Sequence, residues 1–148
     1  MNATYLVDTD WAIDYLNGQD RTRERLEEVE DSGLALSIIS LAEVYEGIYY
    51  SRDPKGNEKA LLDFLQDVTA IGIDEESCRL FGKERGRLRA EGKMTSDFDL
   101  LIGITARRYQ LTLLSNNRRH FENIEGPANR KPPLTLLRFF GLRERLFV

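Results

Sequence analysis

Cysteine and histidine are almost absent from this sequence, which has one of each in 148 residues. A single cysteine, Cys78, cannot form an internal disulfide and is typical of a reducing compartment. One cysteine and one histidine also cannot build a structural zinc site. No apolar run approaches the roughly 20 residues that span a bilayer, and the first residues, MNATYLVDTD, lack the basic and apolar regions of a signal peptide. We therefore expect a cytoplasmic protein with no membrane partner.

The length is sufficient for one domain with a full hydrophobic core, and we expect a single domain over residues 1–148. The net charge of −4 does not indicate a nucleic-acid-binding protein. The charge is nevertheless uneven, since residues 1–78 hold 6 Lys and Arg against 18 Asp and Glu, whereas residues 79–148 hold 15 against 7. The basic second half is explained either by a polyanion-binding face or by solvated helix surfaces, and charge alone favours the solvated surfaces.

Short apolar segments alternate with helical patterns along the whole chain. The helices include a long one over Glu75–Glu91 and a buried apolar one, DFDLLIGITARRY. This alternation predicts the α/β class, with a mainly parallel sheet of about five strands and helices on both faces. In such a sheet, the functional crevice lies beyond the carboxyl ends of the strands. The predicted strands are TYLVD, LALSIIS, TAIGID, LTLLS and PPLTLLRFF.

Acidic residues occur where these predicted elements meet. Asp8 ends the first strand, Glu43 lies one turn into the helix after the second, and Asp99 opens the apolar helix before the fourth, two residues after Asp97. Because parallel strands place their carboxyl ends at one edge, we expect the three acids to face one crevice. Clustered carboxylates repel one another unless protons or a cation neutralise them, and oxygen ligands suit Mg²⁺ or Mn²⁺. Such a metal in an open cleft indicates phosphoryl chemistry.

Each acid, taken singly, is better explained as a helix cap. The segments SLAE, Ser40–Glu43, and SDFD, Ser96–Asp99, both match the capping-box pattern. Asp8 and Thr9 are also suited to cap the following helix, and helix dipoles favour acids in the first turn. The occurrence of three acids at the same sheet edge is what favours a metal site.

Three segments resemble a known family. YLVDTDWAIDYL, ISLAEVYEGI and DFDLLIGITARRYQLTLLSNNRRHFENIEG follow the order and spacing of a PIN domain of the VapC toxin type, over nearly the whole chain. The resemblance implies a three-layer α/β/α sandwich and an endoribonuclease that uses Mg²⁺ or Mn²⁺ to cleave RNA. It also implies a homodimer and a VapB-type antitoxin that silences the enzyme in a toxin–antitoxin hetero-oligomer.

The resemblance also implies roles for individual residues. Asp8, followed by the hydroxyl residue Thr9, matches the family's first acid, and Glu43 and Asp99 match the second and third. These three would bind the metal. Asp97 matches an acid found in some members, so it joins the candidate catalytic residues.

The family's fourth acidic position reads SNN in this chain, so Ser115 and Asn117 stand where a carboxylate often occurs. We expect these two residues to orient a metal-bound water or the scissile phosphate, and a turn built on the asparagines is an equal alternative. His120 replaces an acid that is common before Phe121, and we interpret it as a surface residue. The sequence leaves open whether one or two metals bind, which RNA is cut, and whether Glu46 contributes.

Two other functions remain open. A haloacid-dehalogenase-like phosphatase would explain VDTD and LTLLS, but the only lysine after Ser115 is Lys131 and no paired acids follow it. A non-catalytic RNA-binding module is favoured by Asn117, whereas the intact Asp8, Glu43 and Asp99 argue against it.

Three smaller expectations concern the rest of the chain. Cys78 is most simply a small core residue. The basic segment RLFGKERGRLRAEGK, with Arg85, Arg87 and Arg89, is either an RNA-contacting face or a soluble helix surface. The helices near the acids also carry aromatic and aliphatic residues that a partner segment would cover. These are Trp11, Tyr15, Ile48, Tyr49 and Tyr50.

Overall fold

A five-stranded, wholly parallel sheet forms the centre of the molecule, with strand order β3-β2-β1-β4-β5. The structure, a computed structural model, describes residues 2–125 and the backbone of residues 134–135. Four strands have three or four residues, and the fifth has two. The strands are β1 (Tyr5–Val7), β2 (Leu34–Ser37), β3 (Val68–Ile71), β4 (Thr112–Leu114) and β5 (Leu134–Thr135).

Helices cover both faces of the sheet because neighbouring residues of each strand point to opposite sides. Leu6 of β1 lies in one buried cluster with residues of the fifth to seventh helices, and the adjacent Val7 lies in a second cluster with residues of the first four. The result is three layers. The helices are α1 (Thr9–Leu16), α2 (Asp20–Val29), α3 (Ile38–Tyr49), α4 (Pro54–Phe64), α5 (Glu75–Ala90), α6 (Asp97–Arg108) and α7 (Arg118–Phe121).

The chain reverses its direction of travel across the sheet at β1. The second and third strands are added on one side of β1, and β4 then pairs with its other side, with Val7 opposite Leu114. The loops that follow β1 and β4 therefore diverge, and a crevice opens beyond their carboxyl ends.

A glycine fixes the entry into β2. Gly33 has a φ of 87°, and its carbonyl accepts hydrogen bonds from the backbone N–H groups of Thr4 and Tyr5. A Cβ atom at this position would lie 2.1 Å from the carbonyl oxygen of Asn2. Only glycine tolerates both the backbone conformation and this close approach, which aligns β1 with β2.

The predicted fold class is confirmed, and the second strand is the main local difference. The sequence predicts a strand through LALSIIS, but β2 ends at Ser37, whose side chain caps α3 by accepting from the N–H of Ile39 at 3.1 Å. The two isoleucines therefore begin a helix. Leu134–Thr135 confirms part of the fifth strand, and the rest of PPLTLLRFF lies outside the described residues.

Two expectations about surfaces are wrong. Cys78 is exposed because it lies on the outer side of α5. Trp11 and Ile48 are fully buried, so they belong to the core and not to a docking face, whereas Tyr49 and Tyr50 at the end of α3 are 63% and 89% exposed. In the described part of the chain, no helix is long and apolar enough to cross a membrane.

Candidate active site

Asp8 lies at the centre of the crevice between β1 and β4. It follows β1 directly, caps α1 by accepting from the N–H of Thr9 at 2.8 Å, and is only 3% exposed. The hydroxyl of Ser115, which follows β4, donates to Asp8 Oδ2 at 2.6 Å. Asp8 is therefore held on both oxygens by neutral donors from two adjacent strand ends.

Burial raises the pKa of Asp8 to about 7. The hydrogen bonds from Ser115 and Thr9 lower this pKa, and the negative charges of Asp10 and Asp99 raise it. Burial is therefore the main cause of the raised pKa, and the nearby negative charges are a smaller one.

Glu43 faces the same crevice from the second turn of α3. Its Oε1 accepts a hydrogen bond from the hydroxyl of Thr9 at 2.8 Å, and Thr9 Oγ1 lies 2.9 Å from Ser40 Oγ. Partial burial raises the pKa of Glu43, as do the charges of Asp99, Asp10 and Glu46, while the bond from Thr9 lowers it. The capping-box explanation of SLAE is wrong, because Ser40 and Glu43 both lie inside the helix that Ser37 caps.

Asp99 enters from the first turn of α6. Its N–H donates to Ser96 Oγ at 3.1 Å, so the predicted SDFD cap is formed, and the Ser96 hydroxyl in turn lies 2.9 Å from Asp99 Oδ2. The exposed His120 places Nδ1 3.0 Å from the same Oδ2. His120 is thus at the surface as expected, but it contacts a candidate metal ligand.

Asp97 does not join the other acids. Its Oδ1 accepts from Arg85 Nε of α5 at 2.8 Å, and its side chain is half exposed. In residues 2–125, its contacts link the start of α6 to α5 and do not reach the carboxylates of Asp8 and Glu43.

Asp10 is a residue of this edge that the sequence analysis does not single out. It lies in the first turn of α1, and the side-chain amide of Asn117 donates to its Oδ2 at 2.7 Å. The pattern Asp8-Thr9-Asp10 is visible in the sequence. However, only the adjacency of β1 and β4 brings Asn117 to Asp10. For Ser40, likewise, the sequence pattern indicates only a cap.

The donor set at this edge suits a hard divalent cation, because it consists of carboxylate and hydroxyl oxygens. Within the described residues, no three His, Cys, Asp or Glu side chains are gathered closely enough to hold a metal ion as they stand. Hydrogen bonds instead hold Asp8, Glu43 and Asp99 separately. The chemistry of the residues fits Mg²⁺ or Mn²⁺.

Comparison with known proteins identifies the family to which this fold belongs. The PIN domain model matches residues 5–127, so the chain belongs to the PIN-domain family. Ribonuclease VapC1 of Methanocaldococcus jannaschii is 34% identical over 120 residues, which are 81% of this chain and 80% of that protein. Ribonuclease VapC2 of Haemophilus influenzae is 33% identical over 91 residues, 62% of this chain and 69% of that protein. Within the family, the chain groups with the VapC toxin ribonucleases.

Solved structures agree with this grouping. VapBC2 from Rickettsia felis, bound to a DNA fragment from its promoter, superimposes with a TM-score of 0.80 and 27% identity, covering 91% of this chain and 99% of that one. DNA-bound VapBC from Salmonella typhimurium gives a TM-score of 0.76 and 26% identity, covering 86% of this chain and 96% of that one.

Proposed function

We propose that this chain is the toxin ribonuclease of a toxin–antitoxin pair, and that it cleaves RNA endonucleolytically with Mg²⁺ or Mn²⁺ held by Asp8, Glu43 and Asp99. The observation that carries the proposal is that Asp8 after β1, Glu43 in the second turn of α3 and Asp99 in the first turn of α6 face one crevice. The charge of Asp99 there raises the pKa of both Asp8 and Glu43. A divalent cation offsets this repulsion. The ribonuclease relatives support the choice of RNA as the substrate class.

When bound, such a metal offsets charge on the phosphate and lowers the pKa of a bound water. The protein's own residues hold the acids in place. Ser115 fixes Asp8, and Thr9 connects Glu43 to the start of α1. Asp97 acts indirectly, because its pairing with Arg85 fixes the first turn of α6, which carries Asp99.

The partners belong to the same proposal. The structural neighbours are complexes of VapB and VapC proteins, some of them bound to DNA. We infer a VapB-type antitoxin for this chain, a homodimer of the toxin, and a hetero-oligomer of the two. The family match argues against the phosphatase alternative.

The decisive experiment incubates the purified chain, free of antitoxin, with total RNA and Mg²⁺ or Mn²⁺, with and without a chelator, and maps the new RNA ends. We expect metal-dependent cleavage that a co-encoded antitoxin stops. Asp99→Asn should reduce the cleavage rate by roughly a thousandfold or more, since it removes a ligand of the transition-state metal. Asp63→Asn, an exposed acid on α4, is the matched control and should cut normally.

Cleavage by Asp99→Asn at the wild-type rate would contradict the assignment of this acid. RNA binding that needs no metal, together with no cleavage by the wild-type chain, would favour the non-catalytic RNA-binding module.

A further inference from the structure

Two tripeptides face each other across the crevice, one after β1 and one after β4. The hydroxyl of Ser115, the first residue of one tripeptide, donates to Asp8, the first residue of the other, at 2.6 Å. The side-chain amide of Asn117, the third residue, donates to Asp10, the third residue of the other, at 2.7 Å. The N–H of Asn117 also donates to Ser115 Oγ at 2.9 Å, which ties the two contacts together. The Asp10 side chain is therefore bound to the segment after β4, although Asp10 is an exposed residue of α1.

The charge of Asp10 reaches the proposed metal ligands. Asp10 lies two residues after Asp8, and the two side chains are bound by Ser115 and Asn117 of the same segment after β4. Asp10 thus contributes a further negative charge to the crevice that already holds these acids.

The donors at this edge differ from those that hold acids elsewhere. Asp8, Asp10 and Glu43 are held by Ser115, Asn117 and Thr9, which are neutral donors and bring no positive charge to the carboxyl groups. Away from the crevice, arginines bind three other acids: Arg85 binds Asp97, Arg107 binds Glu84, and Arg108 binds Asp74. A neutral donor orients a carboxylate but preserves its attraction for a cation.

A helix cap alone does not explain the contact between Asp10 and Asn117. An acid in the first turn gains about 0.3–1 kcal/mol from the helix dipole without any partner. Asn117 comes from the far end of the chain, and its side-chain amide is directed at Asp10.

We propose that Asp10 is a fourth carboxylate for the divalent cation of this crevice and that Asn117 is its positioning residue. The proposal rests on the proposed function and adds one residue to the binding set. Because the Asn117 amide donates to Asp10, the expectation that Asn117 orients a metal-bound water or the scissile phosphate stays a separate prediction.

The test measures Mn²⁺ affinity by isothermal titration calorimetry and by the electron paramagnetic resonance signal of free Mn²⁺, with the antitoxin-free chain and no RNA. We expect Asp10→Asn to weaken Mn²⁺ binding roughly tenfold, about 1.4 kcal/mol. The exchange variant Asp10→Asn with Asn117→Asp moves the carboxylate to the other end of the same hydrogen bond, and it should restore most of the affinity. Asp20→Asn removes a first-turn acid from α2 and should leave binding unchanged.

Wild-type Mn²⁺ affinity in Asp10→Asn would overturn the role of Asp10 as a ligand. A lower melting temperature with unchanged affinity would do so most directly, because it would show that Asp10 affects only stability. Weakened binding that the exchange variant does not restore would overturn the positioning role of Asn117. If Asp10→Asn fails to fold, Asn117→Ala keeps the carboxylate but removes its anchor, and unchanged affinity there would also overturn the proposal. Failure of the proposed function is a separate outcome. If the wild-type chain cleaves no RNA in the presence of Mn²⁺, the proposed function has failed, whereas the Mn²⁺ affinities of the Asp10 variants still decide the role of Asp10.

Discussion

At the scale of single residues, Asp8 shows a conflict between stability and function. Its carboxyl group is buried at a strand end, where it accepts bonds from Ser115 and Thr9 but has no cationic partner within the described residues. Burial of a carboxylate without a counter-charge is unfavourable and raises its pKa. A side chain chosen for stability alone would be neutral here, which is why a ligand role explains Asp8 better than a capping role.

This conflict predicts that Asp8→Asn stabilises the metal-free protein at alkaline pH. The pKa of Asp8 is 3.8 ordinarily and about 7 in the fold, so the folded state favours the protonated form. The stability that the protonated Asp8 contributes is fully present below the ordinary pKa. It is lost as the pH rises through the pKa of the folded state, by about 1.4 kcal/mol for each pH unit between the ordinary and the folded-state pKa. Asparagine does not titrate and has no such loss. The free energy of unfolding of Asp8→Asn relative to that of the wild type should therefore be a few kcal/mol larger at about pH 8.5 than at about pH 4.

Urea unfolding with a chelator present, at the two pH values, measures this difference. Asp63→Asn on the exposed surface should show no comparable change with pH. An Asp8→Asn variant that is less stable than the wild type by the same amount at both pH values would refute the explanation. Cleavage of RNA should be lost in Asp8→Asn whatever its stability.

At the scale of elements, a buried ion network joins α5 to α6 and to the segment after α7. Glu84 is 6% exposed and pairs with the buried Arg107 of α6, Oε2 to NH1, at 3.2 Å. The guanidinium of Arg87 contacts the other oxygen of Glu84 and the carbonyl of Asn123, and the N–H of Glu125 donates to the same Glu84 oxygen at 3.0 Å. The network fixes the position of α6, whose first turn carries Asp99.

Glu84→Gln should therefore destabilise the protein strongly, by roughly 3–5 kcal/mol, because it leaves the buried Arg107 without its counter-charge. Glu91→Gln removes a more exposed partner of the same Arg87 and is the matched control, with an expected cost of at most about 1 kcal/mol. Urea unfolding gives both values. Equal costs for the two variants would mean that the network adds little beyond a surface ion pair.

The sequence predicts the order of elements well but not their lateral neighbours. Alternating strands and helices imply that the carboxyl ends share an edge, and this is enough to predict that Asp8, Glu43 and Asp99 face one crevice. The bond between Asn117 and Asp10 depends on β4 lying beside β1, which the order of strands along the chain does not determine. The network around Glu84 is invisible in the sequence for the same reason, since the pairing of α5 with α6 is a tertiary contact.

At the scale of the whole molecule, several basic side chains of residues 79–125 are paired with acids. On α5, Arg79 pairs with Glu75 and Glu76, and Arg85 pairs with Asp97. Arg87 is engaged by Glu84. Arg85 and Arg87 are thus already paired with acids, whereas Arg89 is exposed. RNA contact by these three arginines stays a prediction. Two exposed arginines, Arg118 and Arg119, open α7, which begins directly after Asn117.

Arg119 on α7 is exposed and is the better candidate for a phosphate contact. In the cleavage-deficient Asp99→Asn background, Arg119→Gln should weaken RNA binding and reduce the slope of log Kd against log salt by about 0.7, the value for one single-stranded phosphate contact. Arg87→Gln should instead lower stability, and Arg25→Gln on α2, paired with Glu28, should change neither property. Filter binding across a salt series measures the slopes. If Arg119→Gln keeps the wild-type slope, RNA is not held electrostatically at α7; if binding is independent of salt altogether, phosphate contacts do not determine docking at all.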